Sequence, residues 1–237
     1  MDKLGKIKIQ RFKGKVVFNK PLTDKVIHCR IAHIKPKKLN FLPGQFMILL
    51  LHSHIKRSYS IGSSTLHDKY FDIYIDTTPK GPGSKFFLNV KKNNIIEYIA
   101  PVGQFIYKQK NNPAIFISTG IGITPFISMI EYALRSETKR KLILLEGLRF
   151  KNDIFLENKF RRWKKKYNNF DYQFCLSRDM WHGKKGRVTN FLNSLIKKLG
   201  RNVNAYICGN IEIVNDIKKE LLRLGVKKGN IHYEKYF

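Results

Sequence analysis

Hydrophobic positions follow two different patterns along the chain, and the change falls near its middle. Up to about residue 107, apolar and polar residues alternate in short runs separated by Pro, Gly, Asn or Asp, which is typical of β-strands joined by turns. We predict strands over residues 15–18, 26–34, 45–51, 70–76 and 95–99. Strands of this length and spacing favour an antiparallel β-barrel.

Beyond residue 113, short apolar runs alternate with segments of helical periodicity. Strands are predicted over 114–118, 141–145, 172–176, 204–208 and 230–233, and helices over 125–135, 154–167, 188–199 and 211–224. This alternation predicts an α/β domain with a mostly parallel, doubly wound sheet, which binds ligands at the carboxyl ends of its strands.

A polar stretch between the two patterns, KQKNN at 108–112 followed by Pro113, is the predicted linker. We therefore expect two domains, at residues 1–110 and 111–237, and a length of 237 residues accommodates both.

The chain is strongly basic, with 46 Lys and Arg against 17 Asp and Glu and a formal charge of +29. Such a charge raises the possibility of nucleic-acid binding. Lys, Asn, Ile, Phe and Tyr are abundant together, however, which indicates a compositional bias, and no nucleic-acid motif is recognisable. A basic nucleic-acid-binding protein stays a remote alternative, and a basic surface also attracts acidic protein partners.

Three scattered cysteines, Cys29, Cys175 and Cys208, are too few for a disulfide framework or a four-thiolate iron–sulfur cluster. The seven histidines have no metal-ligand spacing, so no metal site is predicted. No apolar stretch has the roughly 20 residues of a membrane span, and the amino terminus has no signal-peptide core. We expect a cytoplasmic monomer.

The sequence STGIGITP at 118–125 follows a predicted strand. Its two glycines let backbone pass close to a ligand, and Thr124 and Pro125 suit the first positions of a helix whose free N–H groups can bind a pyrophosphate. The motif is neither a Walker loop nor GxGxxG. A purely structural strand-to-helix turn could use the same residues.

Two shorter motifs lie in the first half. RSYS at 57–60 offers a guanidinium for phosphate, an aromatic face and hydroxyl groups, and GPGS at 81–84 offers a second anion site. An outward-facing polar strand and a tight turn are the respective structural alternatives.

The order of RSYS, GPGS, STGIGITP, Cys208-Gly209-Asn210 and a terminal strand with Glu and aromatics resembles the ferredoxin–NADP reductase superfamily over essentially the whole chain. The resemblance implies an amino-terminal FAD-binding barrel, a carboxy-terminal NAD(P)-binding domain, and hydride transfer between NADP(H) and flavin. It further implies single-electron exchange with a small acidic carrier, ferredoxin or flavodoxin. An NAD(P)H–flavin reductase and the reductase component of an oxygenase remain alternatives.

The resemblance also assigns residues in the first domain. It implies Arg57, Gly83 and Ser84 on the FAD pyrophosphate, Tyr59 stacked on the isoalloxazine, and Ser60 near the flavin N5 as a catalytic residue. The remaining residues expected to bind FAD are Ser58, Tyr74 and Ile75.

In the second domain the resemblance implies Thr119, Gly120 and Gly209 beside the nucleotide. Cys208 would face the nicotinamide and Glu234 would lie near the flavin, both as catalytic residues; a buried core cysteine is the alternative for Cys208. Tyr236 or Phe237 would shield the flavin ring, and the ending YEKYF leaves open which of them stacks.

The coenzyme can be argued from arginines. Fixed guanidinium groups near strand ends would bind the 2′-phosphate that distinguishes NADP from NAD. Arg149, Arg178 beside Ser177, and Arg187 occupy such positions and resemble the 2′-phosphate clamp of bacterial ferredoxin–NADP reductases, so NADP is favoured over NAD.

Overall fold

The computed structural model describes residues 7–51, 54–136 and 139–236. It has two compact units: one contains the described residues up to Tyr107 together with Thr124–Tyr132, and the other contains Lys108–Ile123 and the described residues from Ala133 onward.

The first unit is built on an antiparallel sheet with the strand order β4-β3-β6-β1-β2-β5. Its elements are β1 (Gln10–Pro21), β2 (Val26–Lys35), β3 (Phe46–Leu50), β4 (Lys56–Ser60), β5 (Tyr70–Asp76), α1 (Pro82–Asn89) and β6 (Ile95–Val102). A 2.8 Å backbone hydrogen bond from Gly62 N to Asp72 O links the two outermost strands. The sheet is a nearly closed barrel, which confirms the predicted fold of this half.

Alternating side chains fill the barrel. On β1, Phe12 and Val16 are buried while Lys13 and Lys15 are exposed, as the period of two in a strand requires. Tyr98 on β6 stacks on Phe12 with ring centroids 5.3 Å apart.

One strand of the barrel was not among the predicted strands. Residues 56–60, which include RSYS, form strand β4, antiparallel to β3 with Tyr59 opposite Met47. Lys56, Arg57 and Ser58 are exposed, so this strand lacks the apolar alternation that identifies the others.

The second unit contains a six-stranded parallel sheet in the order β10-β9-β8-β7-β11-β12. In chain order the elements are β7 (Ala114–Thr119), α2 (Thr124–Arg135), β8 (Leu142–Leu148), α3 (Glu157–Lys166), β9 (Phe170–Leu176), β10 (Lys184–Lys185), α4 (Leu192–Leu199), β11 (Asn204–Asn210), α5 (Ile211–Arg223) and β12 (Ile231–Tyr236). The first residues of α2 cluster with the barrel. The alternation of strands and helices confirms the predicted α/β fold.

The largest differences from the predicted helix boundaries are at the starts of two helices. The helix predicted over 154–167 begins at Glu157, because Leu156 adopts a left-handed conformation with φ of 62°. The helix predicted over 188–199 begins with a 3-10 turn at Val188–Phe191 and continues as α4. Strand β10 consists of two lysines, and it was not predicted because it has no apolar pattern.

Residues of α4 and α5 pack with one face of the parallel sheet, where Ile117, Leu145 and Ile207 belong to the same buried cluster as Leu192 and Val214. Parts of the segment predicted as a linker are fixed in this unit: Lys108 N donates to Tyr206 Oη at 2.9 Å. Among the described residues, no helix is long and apolar enough to cross a membrane.

Candidate active site

The two motifs of the first unit, separated by some twenty residues in sequence, are in direct contact. A Cβ atom placed on Gly83 would overlap the Tyr59 hydroxyl group and would lie 3.2 Å from Arg57 Cγ. The backbone of GPGS therefore packs against RSYS at a separation that only glycine allows at this position.

Tyr59 is the half-buried member of RSYS. Its ring contacts Phe87 edge to face, with centroids 5.1 Å apart, and burial raises the pKa of its phenol to about 12 against a smaller opposing effect of Arg57. Arg57 and Ser58 are exposed, and Ser60 is buried. The motif thus presents the Arg57 guanidinium group and the Ser58 hydroxyl group beside the neutral aromatic ring of Tyr59, which packs on Phe87.

Helix α1 begins at Pro82, directly after Gly81, with no side-chain cap and no acidic residue in its first turn. Ser84 Oγ donates to the carbonyl oxygen of Asp76 at 3.1 Å, which ties the helix to the end of β5. Backbone N–H groups at an uncapped helix start suit an anion, and the exposed Arg57 lies on the adjoining motif.

Tyr74 and Ile75 are neighbours on β5 and point to opposite faces. Ile75 belongs to the barrel core, so only its backbone can contact a ligand. Tyr74 is buried and stacks on His28 with centroids 4.6 Å apart.

A partly buried ion pair next to Tyr74 was not predicted from the sequence. Arg30 donates to both carboxylate oxygens of Asp72, at 2.7 and 2.9 Å. Burial opposes ionisation of Asp72, but hydrogen bonds from Arg30 and His28 lower the pKa of this carboxyl group below its usual value. His28 pairs with Tyr74 and Arg30 pairs with Asp72 across β2 and β5. These polar and aromatic residues alternate along both strands, and this alternation was the sequence signal for a shared face.

In the second unit, residues 118–123 comprise the last two residues of β7 and the 3-10 segment Gly120–Ile123 that leads into α2. We call residues 118–123 the nucleotide turn. A Cβ atom on Gly122 would overlap the Cys208 carbonyl group, and one on Gly209 would overlap Thr119 Oγ1. Gly120 has a left-handed φ of 55° and open space beside it. STGIGITP and Cys208-Gly209-Asn210, far apart in sequence, therefore pack backbone to backbone at the carboxyl ends of β7 and β11.

Cys208 and Glu234 lie opposite each other on β11 and β12. Burial raises the pKa of the Cys208 thiol well above its usual value, Glu234 adds to the rise, and hydrogen bonding with Tyr236 opposes it. Burial raises the pKa of Glu234 to about 7. The thiol is thus neutral, and the carboxyl group changes its protonation near neutral pH. Phe237 lies outside the described residues.

The predicted arginines lie at the ends of three neighbouring strands. Arg178 N donates to Arg149 O at 3.0 Å, and Ser177 N donates to Leu148 O at the same distance. Gly186 N donates to Leu176 O at 2.8 Å, which brings the segment of Arg187 to the end of β9. All three arginines are exposed, as is Ser177.

Comparison with protein-family models decides the identity. Residues 14–107 match the oxidoreductase FAD-binding domain, and residues 116–219 match the oxidoreductase NAD-binding domain. The chain belongs to the ferredoxin–NADP reductase superfamily. As a member of this superfamily, it is an NAD(P)H-dependent flavoprotein oxidoreductase.

Two curated relatives illustrate the range of this superfamily. The chain is 28% identical over 243 residues to ferredoxin–NADP reductase B of Sorangium cellulosum, covering 97% of this chain and 99% of that one. It is 28% identical over 219 residues to the toluate 1,2-dioxygenase electron transfer component of Pseudomonas putida, covering 91% of this chain but 64% of the relative.

The same fold occurs in a solved ferredoxin–NADP reductase. The Neisseria gonorrhoeae enzyme, crystallised with FAD and NADP, superposes with a TM-score of 0.82 at 22% identity over 96% of this chain and 99% of that one. At this identity the likeness establishes the fold.

The residues of this superfamily member fit the two cofactors that its domains imply. On the FAD side, Gly83 packs against Tyr59 at a distance that only glycine allows. This contact places the uncapped start of α1 beside the exposed guanidinium group of Arg57. On the nucleotide side, Gly120 leaves open space at the turn.

The reductase also carries an open basic depression of about 550 Å³ at the opposite, amino-terminal edge of β8 and β9. It is lined by Lys139, Lys141, Lys166, Tyr167, Asn168 and Asn169. None of the predicted site residues lines this depression.

Proposed function

We propose that this reductase transfers hydride between NADP(H) and a bound FAD and exchanges single electrons with a small acidic carrier protein, a ferredoxin or a flavodoxin. Support comes from the relative whose full length the chain spans, which is named a ferredoxin–NADP reductase.

The observation that carries the coenzyme assignment is the grouping of Arg149, Arg178 and Arg187 at adjacent strand ends. Guanidinium groups give charge-assisted, bidentate hydrogen bonds to phosphate. Three exposed guanidinium groups at adjacent strand ends favour a nucleotide with a 2′-phosphate, and therefore NADP over NAD.

On the flavin side, Arg57, Ser58 and the start of α1 at Gly83 and Ser84 would hold the pyrophosphate, and Tyr59 would stack on the ring. When bound, FAD accepts two electrons as hydride and releases them singly. Tyr59 suits its role because Phe87 fixes its ring and its phenol stays neutral.

The proposed catalytic residues position groups and hold protons, and none acts as a nucleophile. Ser60 offers a buried hydroxyl group, and Cys208 offers a small neutral thiol beside the nucleotide turn. The Glu234 carboxyl group can hold or release a proton near neutral pH because burial brings its pKa to about 7.

The partner assignment rests on charge. A chain with a formal charge of +29 attracts an acidic carrier over long range and accelerates their encounter.

The test is NADPH-driven reduction of three acceptors by the FAD-loaded protein: a ferredoxin, a flavodoxin and free FMN. The proposal predicts faster turnover with at least one carrier than with FMN at equal concentration. Fast turnover with FMN alone would instead support a flavin reductase.

The match to an oxygenase electron transfer component favours one second candidate. An oxygenase reductase would pass electrons to an oxygenase component, and slow reduction of both carriers together with coupling to such a component would point there.

A further inference from the structure

Four polar residues form a row across the parallel sheet near the carboxyl ends of its strands. Glu146 on β8 pairs with Ser118 on β7, and Ser118 pairs with Cys208 on β11. Cys208 in turn pairs with Glu234 on β12. Paired residues lie on strands about 4.8 Å apart and point to the same face. Cys208 and Glu234 have proposed roles, whereas Ser118 and Glu146 have none so far.

Glu146 and Ser118 are both completely buried, each with 0% of its surface exposed. Within the described part of the chain, neither the carboxyl oxygens of Glu146 nor Ser118 Oγ has a hydrogen-bond partner. A buried polar group without a partner is destabilising, and a buried ionised carboxylate is far more so. Burial raises the pKa of Glu146 well above its usual value, which favours the neutral carboxylic acid over the carboxylate.

The two groups are chemically complementary. A neutral carboxyl group offers one O–H donor and acceptor oxygens, and a serine hydroxyl group offers a donor and acceptors. Glu146 and Ser118 are direct neighbours on adjacent strands, so a hydrogen bond between them would satisfy both groups.

The pair lies directly beneath the nucleotide turn. Ser118 is the first residue of the turn and is followed by Thr119. A Cβ atom on Gly147, the residue after Glu146, would lie 3.3 Å from Thr119 Cγ2 and 2.7 Å from Val188 Cγ1. The end of β8 at Gly147 is therefore closely packed against Thr119 at the end of β7.

We propose that Glu146 hydrogen-bonds Ser118 and is a positioning residue that fixes the nucleotide turn for the nicotinamide coenzyme. The role toward the coenzyme rests on the proposed function. The hydrogen bond between Glu146 and Ser118 rests only on the buried row of residues.

The kinetic test compares Glu146→Gln, Glu146→Leu, Ser118→Ala and the Glu146→Leu/Ser118→Ala double variant. Glu146→Gln keeps a neutral donor and acceptor, so its KM for NADPH should stay within about twofold of wild type. Glu146→Leu and Ser118→Ala should each raise KM about tenfold with little change in kcat. The double variant should be no worse than either single variant, because the two residues act as one unit.

Phe174→Leu is the matched control. Phe174 lies opposite Glu146 on β9 and is buried, but its truncation removes only apolar contacts. It should lower Tm and leave the KM for NADPH unchanged.

Two readouts need no coenzyme. Infrared spectra at neutral pH should contain C=O stretches of the protonated carboxyl groups of Glu146 and Glu234. The Glu146 component should disappear in Glu146→Gln and shift to higher frequency in Ser118→Ala, while the Glu234 component stays. Amide hydrogen exchange over residues 119–123 should be faster in Glu146→Leu and unchanged in Glu146→Gln. If Glu146→Leu does not fold, Glu146→Gln and Ser118→Ala still decide the question.

A Glu146 infrared component that does not move in Ser118→Ala would overturn the pairing, as would KM effects that add in the double variant. If the wild-type protein binds no nicotinamide nucleotide, the proposed function fails, while the infrared and exchange measurements still decide the hydrogen bond.

Discussion

At the scale of single residues, the three arginines at the strand ends make a selective prediction about the coenzyme. Their guanidinium groups are exposed, and their backbones are joined to one another through neighbouring strand ends. Contacts to a 2′-phosphate would be made by NADPH and by no group of NADH.

Converting Arg178 and Arg187 to Ala should therefore raise the KM for NADPH by about 10- to 100-fold and leave the KM for NADH nearly unchanged, because only contacts to the phosphate are lost. Steady-state kinetics with both nucleotides measures this. Arg162→Ala, an exposed arginine on α3, is the control and should change neither value. Equal losses with NADPH and NADH would contradict the clamp.

Glu146 makes a prediction about stability and pH. Its carboxyl group is neutral in the folded protein but ionises in the unfolded chain above the ordinary glutamate pKa of 4.5. The unfolded state therefore gains stability as pH rises, and the folded protein loses stability from about pH 4.5 upward. Glu234 contributes in the same direction up to its folded pKa of about 7.

Glu146→Gln removes the contribution of Glu146 and leaves that of Glu234. The free energy of unfolding of the wild type should fall relative to that of the variant by about 1 kcal/mol per pH unit between about pH 5 and pH 7. Urea denaturation across this range measures the difference. Parallel pH profiles would show that Glu146 ionises normally in the folded protein.

At the scale of elements, the contact between β4 and α1 predicts which glycine the FAD site requires. Gly83→Ala places a methyl group against the Tyr59 hydroxyl and Arg57 Cγ. We expect the Kd for FAD to rise at least about tenfold, because overpacking of this kind costs about 1 to 3 kcal/mol and displaces both proposed FAD ligands.

Gly81→Ala is the matched control. Gly81 precedes the same helix with an ordinary φ of −73° and has nothing within 4 Å of an added Cβ atom. FAD affinity, measured by release of flavin fluorescence on dilution, should be unchanged in Gly81→Ala. A similar loss in both variants would mean that the turn, and not its fit to Tyr59, controls binding.

The elements also show what sequence patterns can and cannot predict. The strand Tyr70–Asp76 was predicted to the residue, because alternation and flanking turn residues are local signals. Strand β4 was missed because Lys56, Arg57 and Ser58 face outward and leave no apolar alternation. Helix α3 begins three residues later than predicted because Leu156, directly before it, adopts a left-handed conformation that no local pattern indicates.

The candidate site was predictable to a similar extent. STGIGITP and Cys208-Gly209-Asn210 lie at strand ends, as their sequence context indicated. The contacts of Gly83 with Tyr59 and of Gly122 with Cys208 depend on the folded arrangement. Glu146 was overlooked, although a single charged residue inside the apolar run LILLEGL was a visible signal.

At the scale of the whole molecule, net charge predicts how the rate of encounter with the carrier protein depends on salt. A protein with a formal charge of +29 and an acidic carrier attract each other over a distance that salt shortens. The rate of carrier reduction should therefore fall steeply as ionic strength rises, whereas reduction of a small neutral quinone should change little. Stopped-flow rates across a salt series measure this. A carrier rate independent of salt would exclude electrostatic attraction as the basis of recognition.

The measurement that tests the central claim most directly is an anaerobic absorption titration of the FAD-loaded protein with NADPH and, separately, with NADH. The account predicts that NADPH bleaches the bound-flavin band at far lower concentration than NADH. A protein that retains no flavin after reconstitution, or whose flavin neither nucleotide reduces, would contradict it.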